Sequence, residues 1–285
     1  MSDEVAIICS RADPASLNIA EQLQELAAWE DHGGYSSFGP WRRIIHDERQ
    51  TALQDLDARL MDLGLHPKMV VFACRHVSQT GVPWFGGHFT GMLENGSRQL
   101  SAAAPSGLRS FLFNIRRLAP QGIRISAEAT HHGPTDMKTP SFFAEIGSSE
   151  LQWRDPRAGE AVARAILGLQ AEEMPACLGF GGGHYVPRQT DLMFGADIAF
   201  GHLFSSHQTD SLDADMVEEA RRKSGAAYAY LDRKSLSSQE KKRIAGILDG
   251  LGIPLLKGKE IMARFPLSSR PAEEMSAQEG QEDST

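Results

Sequence analysis

VAIICS (residues 5–10) and, three residues later, PASLNIAEQLQELAA (14–28) decide the architecture of this chain. The first run is short, apolar and β-branched, which reads as a strand. The second opens on Pro14, suited to a first helical turn, and sets Leu17, Ala20, Leu23 and Leu26 on one face. A strand feeding directly into a helix argues for a mostly parallel sheet. Further strand-like runs lie at 69–74, 123–127, 142–146, 176–180, 198–200 and 226–230. Helical patterns fall between many of them, at 51–63, 108–118, 159–169, 214–223 and 238–251. This alternation predicts an α/β fold with a mostly parallel or mixed central sheet and helices on both faces. In such sheets ligands gather at the loops beyond the strand ends.

Working outward, residues 1–266 read as one α/β domain, with no internal repeat and no linker. Residues 267–285 hold five carboxylates against Arg270 alone, too little apolar content to fold, and read as a disordered acidic tail. That tail accounts for half of the net charge of −8, so the body can still carry a local basic face. Arg42/Arg43, Arg116/Arg117, Arg221 to Lys223, Arg233/Lys234 and Lys241 to Arg243 are candidates for it, although such clusters are more often solvated helix faces. No apolar run approaches the roughly 20 residues of a membrane span, and the first residues lack the basic start of a signal peptide. A cytoplasmic protein is expected. Cys9, Cys74 and Cys177 form neither a CxxC nor a paired framework, so any metal falls to His and carboxylate.

The histidines carry the chemistry. His76, His88, His131, His132, His184, His202 and His207 sit at or just after expected strands, among Gly, Pro, Ser and Thr. Glycines around His88 would let backbone approach a ligand closely. In ATHHGPT (129–135) neighbouring side chains of an extended backbone point to opposite faces, so one imidazole, with His132 favoured, should reach a metal. Thr135 reads equally as a helix N-cap. Glu145 interrupts the apolar FFAEIG, where an unpaired carboxylate is expensive to bury. A metal, an Arg or a proton must compensate it, and beside a metal it is a candidate general base for water. GFGGGHY (179–185) fails as a nucleotide loop, because GxGxxG needs glycine where His184 stands and the P-loop Lys is absent. Its glycines suggest backbone N–H groups against an oxyanion, with His184 as ligand or acid–base. Neither HExxH nor GxSxG occurs.

Taken together, CRH (74–76), HFTG (88–91), ATHHGPT, FFAEIGSSE (142–150) and GFGGGHY resemble the zinc-dependent D-aminoacyl-tRNA deacylases of archaea and plants. Met92 departs from the asparagine usual after HxTG in that pattern. The resemblance implies a fold similar to phosphorylases and peptidyl-tRNA hydrolases, and one or two Zn2+ ions held among His88, His132, His184 and His202. It further implies Glu145, His131 and His184 as catalytic groups, and substrate contacts from Arg75, His76, Thr90, Gly181, Gly182, Gly183 and Tyr185. Metal-activated water would attack the aminoacyl carbonyl and expel the terminal ribose hydroxyl of the tRNA. Aminoacylated tRNA is the implied partner; no protein partner or membrane is, and a monomer suffices. The rival readings are a related metal-dependent peptidyl-tRNA hydrolase or aminopeptidase-like enzyme, a non-catalytic module for the tRNA CCA end, and a structural protein with satisfied core histidines.

Overall fold

The computed structural model describes residues 3–93, 97–170 and 172–268. Except for residues 267 and 268, the acidic tail read above lies outside them. The chain runs β1 (Val5–Ser10), α1 (Pro14–Leu26), β2 (Glu30–Asp31), β3 (Ser36–Phe38), β4 (Trp41–His46), α2 (Leu56–Asp62), β5 (Met69–Val77) and β6 (Trp84–His88). It continues through β7 (Gly91–Met92), β8 (Gln99–Leu100), α3 (Pro105–Leu118), β9 (Arg124–Ala127), β10 (Ser141–Ser148), α4 (Glu150–Trp153) and α5 (Pro156–Leu167). Then follow β11 (Ala176–Phe180), α6 (Pro187–Gly195), β12 (Ala199–Phe204), α7 (Ala214–Ser224), β13 (Tyr228–Leu231), α8 (Ser238–Gly250), β14 (Leu255–Leu256) and α9 (Gly258–Arg264).

The opening unit forms as read. Pro14 sits in the first turn of α1, and the buried Asp13 caps it by accepting from the amides of Ala15 and Ser16 at 3.0 Å each. The strands belong to three sheets where one was expected, the smallest being the antiparallel pair β7-β8. An eight-stranded mixed sheet has the order β2-β3-β4-β1-β5-β10-β6-β9, and a four-stranded parallel sheet the order β12-β11-β13-β14. Alternation divides the larger sheet between two cores. Val5, Ile7, Cys9, Val71 and Ala73 face a core shared with α1, α3 and α5, whereas Ala6, Ile8, Val70, Phe72 and Cys74 face one closed by Leu56 and Leu60 of α2. α3 joins the sheets: its Leu108, Phe111, Leu112 and Ile115 share a core with Ala144 and Ile146 of β10 and with Phe200 and Leu203 of β12.

β6 and α6 are elements the sequence reading missed. WFGGH looks like a loop because of its glycines, yet all five residues are buried strand. A β-carbon on Gly86 would stand 1.9 Å from the Ser126 carbonyl oxygen, and one on Gly87 would stand 2.0 Å from that of Phe143. These glycines admit neighbouring strands, not a ligand. The pattern at 51–63 shortens to a 3-10 turn, Gln50–Ala52, followed by α2. Among the described residues no helix is long and apolar enough to cross a membrane.

Candidate active site

One face of the larger sheet collects the polar groups. Register places Phe143 opposite His88, Glu145 opposite Gly86 and Gly147 opposite Trp84. On the other side of β10, Cys74 pairs with Glu145 and His76 with Gly147. β9 closes the row with Ser126 beside Gly86 and Arg124 beside Trp84, and Glu128 follows two residues after Ser126. Gly86 and Gly147 present no side chain on this face, so His76 and Trp84 lie across it with their rings 4.5 Å apart. A β-carbon on Gly147 would come 2.9 Å from the His76 ring.

Loops of the smaller sheet dock on the free edge of β9. Ala129 donates its amide to the His184 carbonyl (2.8 Å) and Val186 donates to that of Ala127 (3.2 Å). Thr130, fully buried, is clamped by β12 and the turn beyond it. Its amide donates to the Leu203 carbonyl at 2.6 Å, and its Oγ1 accepts from the Leu203 amide at 3.1 Å. The same Oγ1 lies 3.1 Å from His202 Nδ1, and the Thr130 carbonyl accepts from Gln208 Nε2 at 2.7 Å. From this anchor the chain turns sharply, with His132 in the left-handed region at φ 40°. The extended backbone assumed for ATHHGPT therefore does not hold. Both imidazoles turn inward, 4.5 Å apart, with the His131 ring 4.0 Å and the His132 ring 4.6 Å from that of His88.

Hydrogen bonding sets the tautomers of these three rings. Each Nδ1 faces a backbone carbonyl, of Phe89 for His88 (3.0 Å), Ala129 for His131 (2.7 Å) and Gly133 for His132 (2.7 Å). A carbonyl only accepts, so Nδ1 carries the proton and Nε2 keeps its lone pair. Burial favours neutral rings: it takes His88 down to about 4 and His132 down to about 3, and it lowers His131 as well. His88 Nε2 is buried without a hydrogen-bond partner. One ring nitrogen from each of the three lies within 4.8 Å of the others, as do ligand atoms of His76, Glu128 and His184, and of His88, Glu128 and Glu145. A divalent cation fits such donor sets of imidazole nitrogen and carboxylate oxygen.

The two carboxylates face the rings from below. Glu145 Oε1 is 3.6 Å from His88 Nε2 and its Oε2 is 3.7 Å from His76 Nδ1. Burial, and then the negative charge of Asp13, push the Glu145 carboxyl up to about 8. Among the described residues no Arg pairs with it, which argues against the structural alternative read from the sequence. Glu128 escaped the sequence reading. It is fully buried, 3.0 Å from His184 Nε2 and 3.2 Å from His76 Nδ1, yet neither carboxylate oxygen receives a well-aligned hydrogen bond. The available signal was the one that exposed Glu145, a carboxylate at the end of an apolar strand, immediately before ATHH. Glu128 raises the pKa of His184, whose side chain is 48% exposed at the mouth. Tyr185 closes one wall, its hydroxyl 2.9 Å from His76 Nε2.

Other expected site residues stand apart. His202 has both ring nitrogens committed, Nε2 to the Ser101 carbonyl at 2.9 Å and Nδ1 to Thr130, which leaves none for an ion. Its place is under the histidine loop. His207 is exposed in the turn after β12. The amides of Gly181 and Gly182 serve the Phe204 carbonyl and Ser235 Oγ, so neither is free for an oxyanion; Gly183 is exposed. Arg75 points to the opposite face, against Asp13 and over Trp153, because it neighbours His76 on one strand. Thr90 is buried with its hydroxyl unpartnered, and no helix follows Thr135, whose hydroxyl meets Gln99.

Comparison with known proteins agrees with this geometry. The sequence profile of the family described as D-aminoacyl-tRNA deacylase matches residues 63–256. A relative of that name from Methanothrix thermoacetophila is 47% identical over 262 residues, covering 90% of this chain and 98% of the relative. Another from Methanosarcina barkeri is 38% identical over 281 residues, covering 92% of each. Among solved structures, the crystal structure of AF0625, described as a conserved protein of unknown function, superimposes with a TM-score of 0.86 at 30% identity, over 94% of this chain and all of that one. On these matches the chain belongs to the D-aminoacyl-tRNA deacylase family.

Proposed function

We propose that this protein hydrolyses the ester between a D-amino acid and tRNA with a metal-activated water, residues 1–266 acting as one hydrolase domain. The observation that carries the proposal is the buried His88 Nε2, which has no protein partner and faces His131 and His132, two more rings with Nδ1 tied back to carbonyls. Zn2+ suits these donors, and His76, Glu128 and His184 form a second set beside the first. An ion held there would polarise the ester carbonyl and bring the pKa of water to about 7.

The chain's own groups supply the rest. Glu145, with its carboxyl pushed up to about 8, titrates near the working pH, so it can take a proton from water and return one to the leaving ribose oxygen. Tyr185 holds His76 in place, and Glu128, 3.0 Å from His184 Nε2, raises the pKa of that ring and orients it at the mouth, beside the reacting carbonyl. The packed rings of Trp84, His76 and Tyr185 form one wall of the site, the surface against which the substrate's side chain would be sorted by its hand. A substrate of this kind supports a cytoplasmic site of action.

The test is hydrolysis of matched D- and L-tyrosyl-tRNA, with and without chelator and with zinc restored. Release of the D form alone, lost with chelator and recovered with zinc, is expected. Equal release of both forms sinks the chiral reading, and insensitivity to chelator sinks the metal.

A further inference from the structure

Along β9 and into the loop after it, alternate residues Arg124, Ser126 and Glu128 line the active-site face. Glu128 lies among the histidines, and Ser126 Oγ accepts from Trp84 Nε1 at 3.0 Å. Arg124 ends the row at the exposed rim, paired in register with Trp84, whose ring lies 5.7 Å from that of Tyr185. Its positive charge acts on Tyr185. Four residues of strand put Arg124 roughly 13 Å from Glu128, too far for the amino acid and suited to the chain that carries it.

A second arginine lies on the His132 side of the site. Arg49 is exposed and precedes the turn Gln50–Ala52, which packs against Gly133, where a β-carbon would stand 3.2 Å from the Thr51 carbonyl oxygen. Its charge acts on His132. The adjacent carboxylates are already taken, Asp47 by Arg11 and Glu48 by Arg59. Among the described residues no carboxylate pairs with Arg49 or Arg124, although the chain has an excess of acid. Two unneutralised guanidinium groups flank a mouth otherwise lined by His184 and Tyr185.

We propose that Arg124 and Arg49 bind backbone phosphates of the single-stranded acceptor end of tRNA and so present its 3′ ester to the histidine cluster. Guanidinium matches phosphate in geometry as well as charge. The inference rests on the deacylase reading, and it gives a protein of net charge −8 a local route to a polyanion.

The test compares D-tyrosyl-tRNA with D-tyrosyl-adenosine, which has no phosphate. Arg124→Ala and Arg49→Ala should each raise KM for the tRNA ester about five- to tenfold, with kcat within roughly twofold, and lower the slope of log kcat/KM against log salt by about 0.7 per lost contact. Arg124→Lys should recover part of the loss, and kcat/KM for the adenosine ester should move less than about twofold. Unchanged KM on tRNA, or equal loss on both esters, overturns the proposal while leaving the deacylase reading intact. If the unmodified protein cleaves neither ester, the deacylase reading fails. Binding of uncharged tRNA at low salt then decides the surface, weaker binding by the variants supporting it and equal binding overturning it.

Discussion

At the scale of single residues, the site turns on how two buried carboxylates differ. Glu145 sits under His88 with burial holding its carboxyl near 8, whereas Glu128 is surrounded by His76, His131 and His184. Glu145→Gln keeps the shape and removes the titration. It should lower kcat by about 10²–10⁴ with little change in KM, read in single-turnover hydrolysis of D-tyrosyl-tRNA. An unchanged kcat would move the proton-transfer role elsewhere. The apolar run FFAEIG announced Glu145, because a carboxylate there has few neutral explanations. Glu128 stands at the edge of a shorter run beside a conspicuous His pair, and the pair drew the reading away from it. The joint approach of His131 and His132 was not legible at all. It depends on the positive φ of His132, a strain that nothing in the letters HH encodes.

At the scale of elements, several strands and helices were readable from local pattern, though β4 was passed over. β1 and β11 match their expected limits, and α5, α7 and α8 agree within three residues at either end. β6 was lost because its glycines serve strand packing, and α6 because its start follows the glycine loop directly. His202 was read just beyond a strand ending at residue 200, whereas it lies inside β12, and its partners Ser101 and Thr130, which take both ring nitrogens, are distant in sequence. The clamp it forms makes a prediction about coupling between sheets. Thr130→Val keeps the volume but leaves the buried Leu203 amide and one His202 nitrogen unpaired, at a cost of about 2–4 kcal/mol. Zinc content after dialysis should fall with it, because the loop carrying His131 and His132 loses its anchor. Full zinc retention in a destabilised variant would show that the loop holds its shape without β12.

At the scale of the whole molecule, the buried histidines tie stability to pH. Burial takes His202 down to about 4, below its ordinary 6.5. The unfolded chain therefore takes up a proton between those values that the folded protein refuses. The stability tied to this ring is complete above pH 6.5 and is lost as pH falls towards 4. Urea unfolding of the metal-free protein and of His202→Gln, from pH 7.5 to 4.5, isolates the effect by difference. Glu145, whose raised pKa acts with the opposite sign, cancels in that comparison. The advantage of the unsubstituted protein should shrink by about 2–3 kcal/mol over that range, and a constant difference would mean the ring titrates alike in the folded and unfolded states. The α/β class was legible because it rests on local alternation. The split into separate sheets was not, since it depends on which strands meet after α3 has passed between the two larger ones. That split leaves β12 as an outer strand of its sheet, six buried residues long and strongly apolar. Such a strand invites pairing with another molecule. Thr130 fills the edge ladder positions at Leu203, so damage to the loop that carries His131 and His132 would also uncover an apolar strand edge open to pairing.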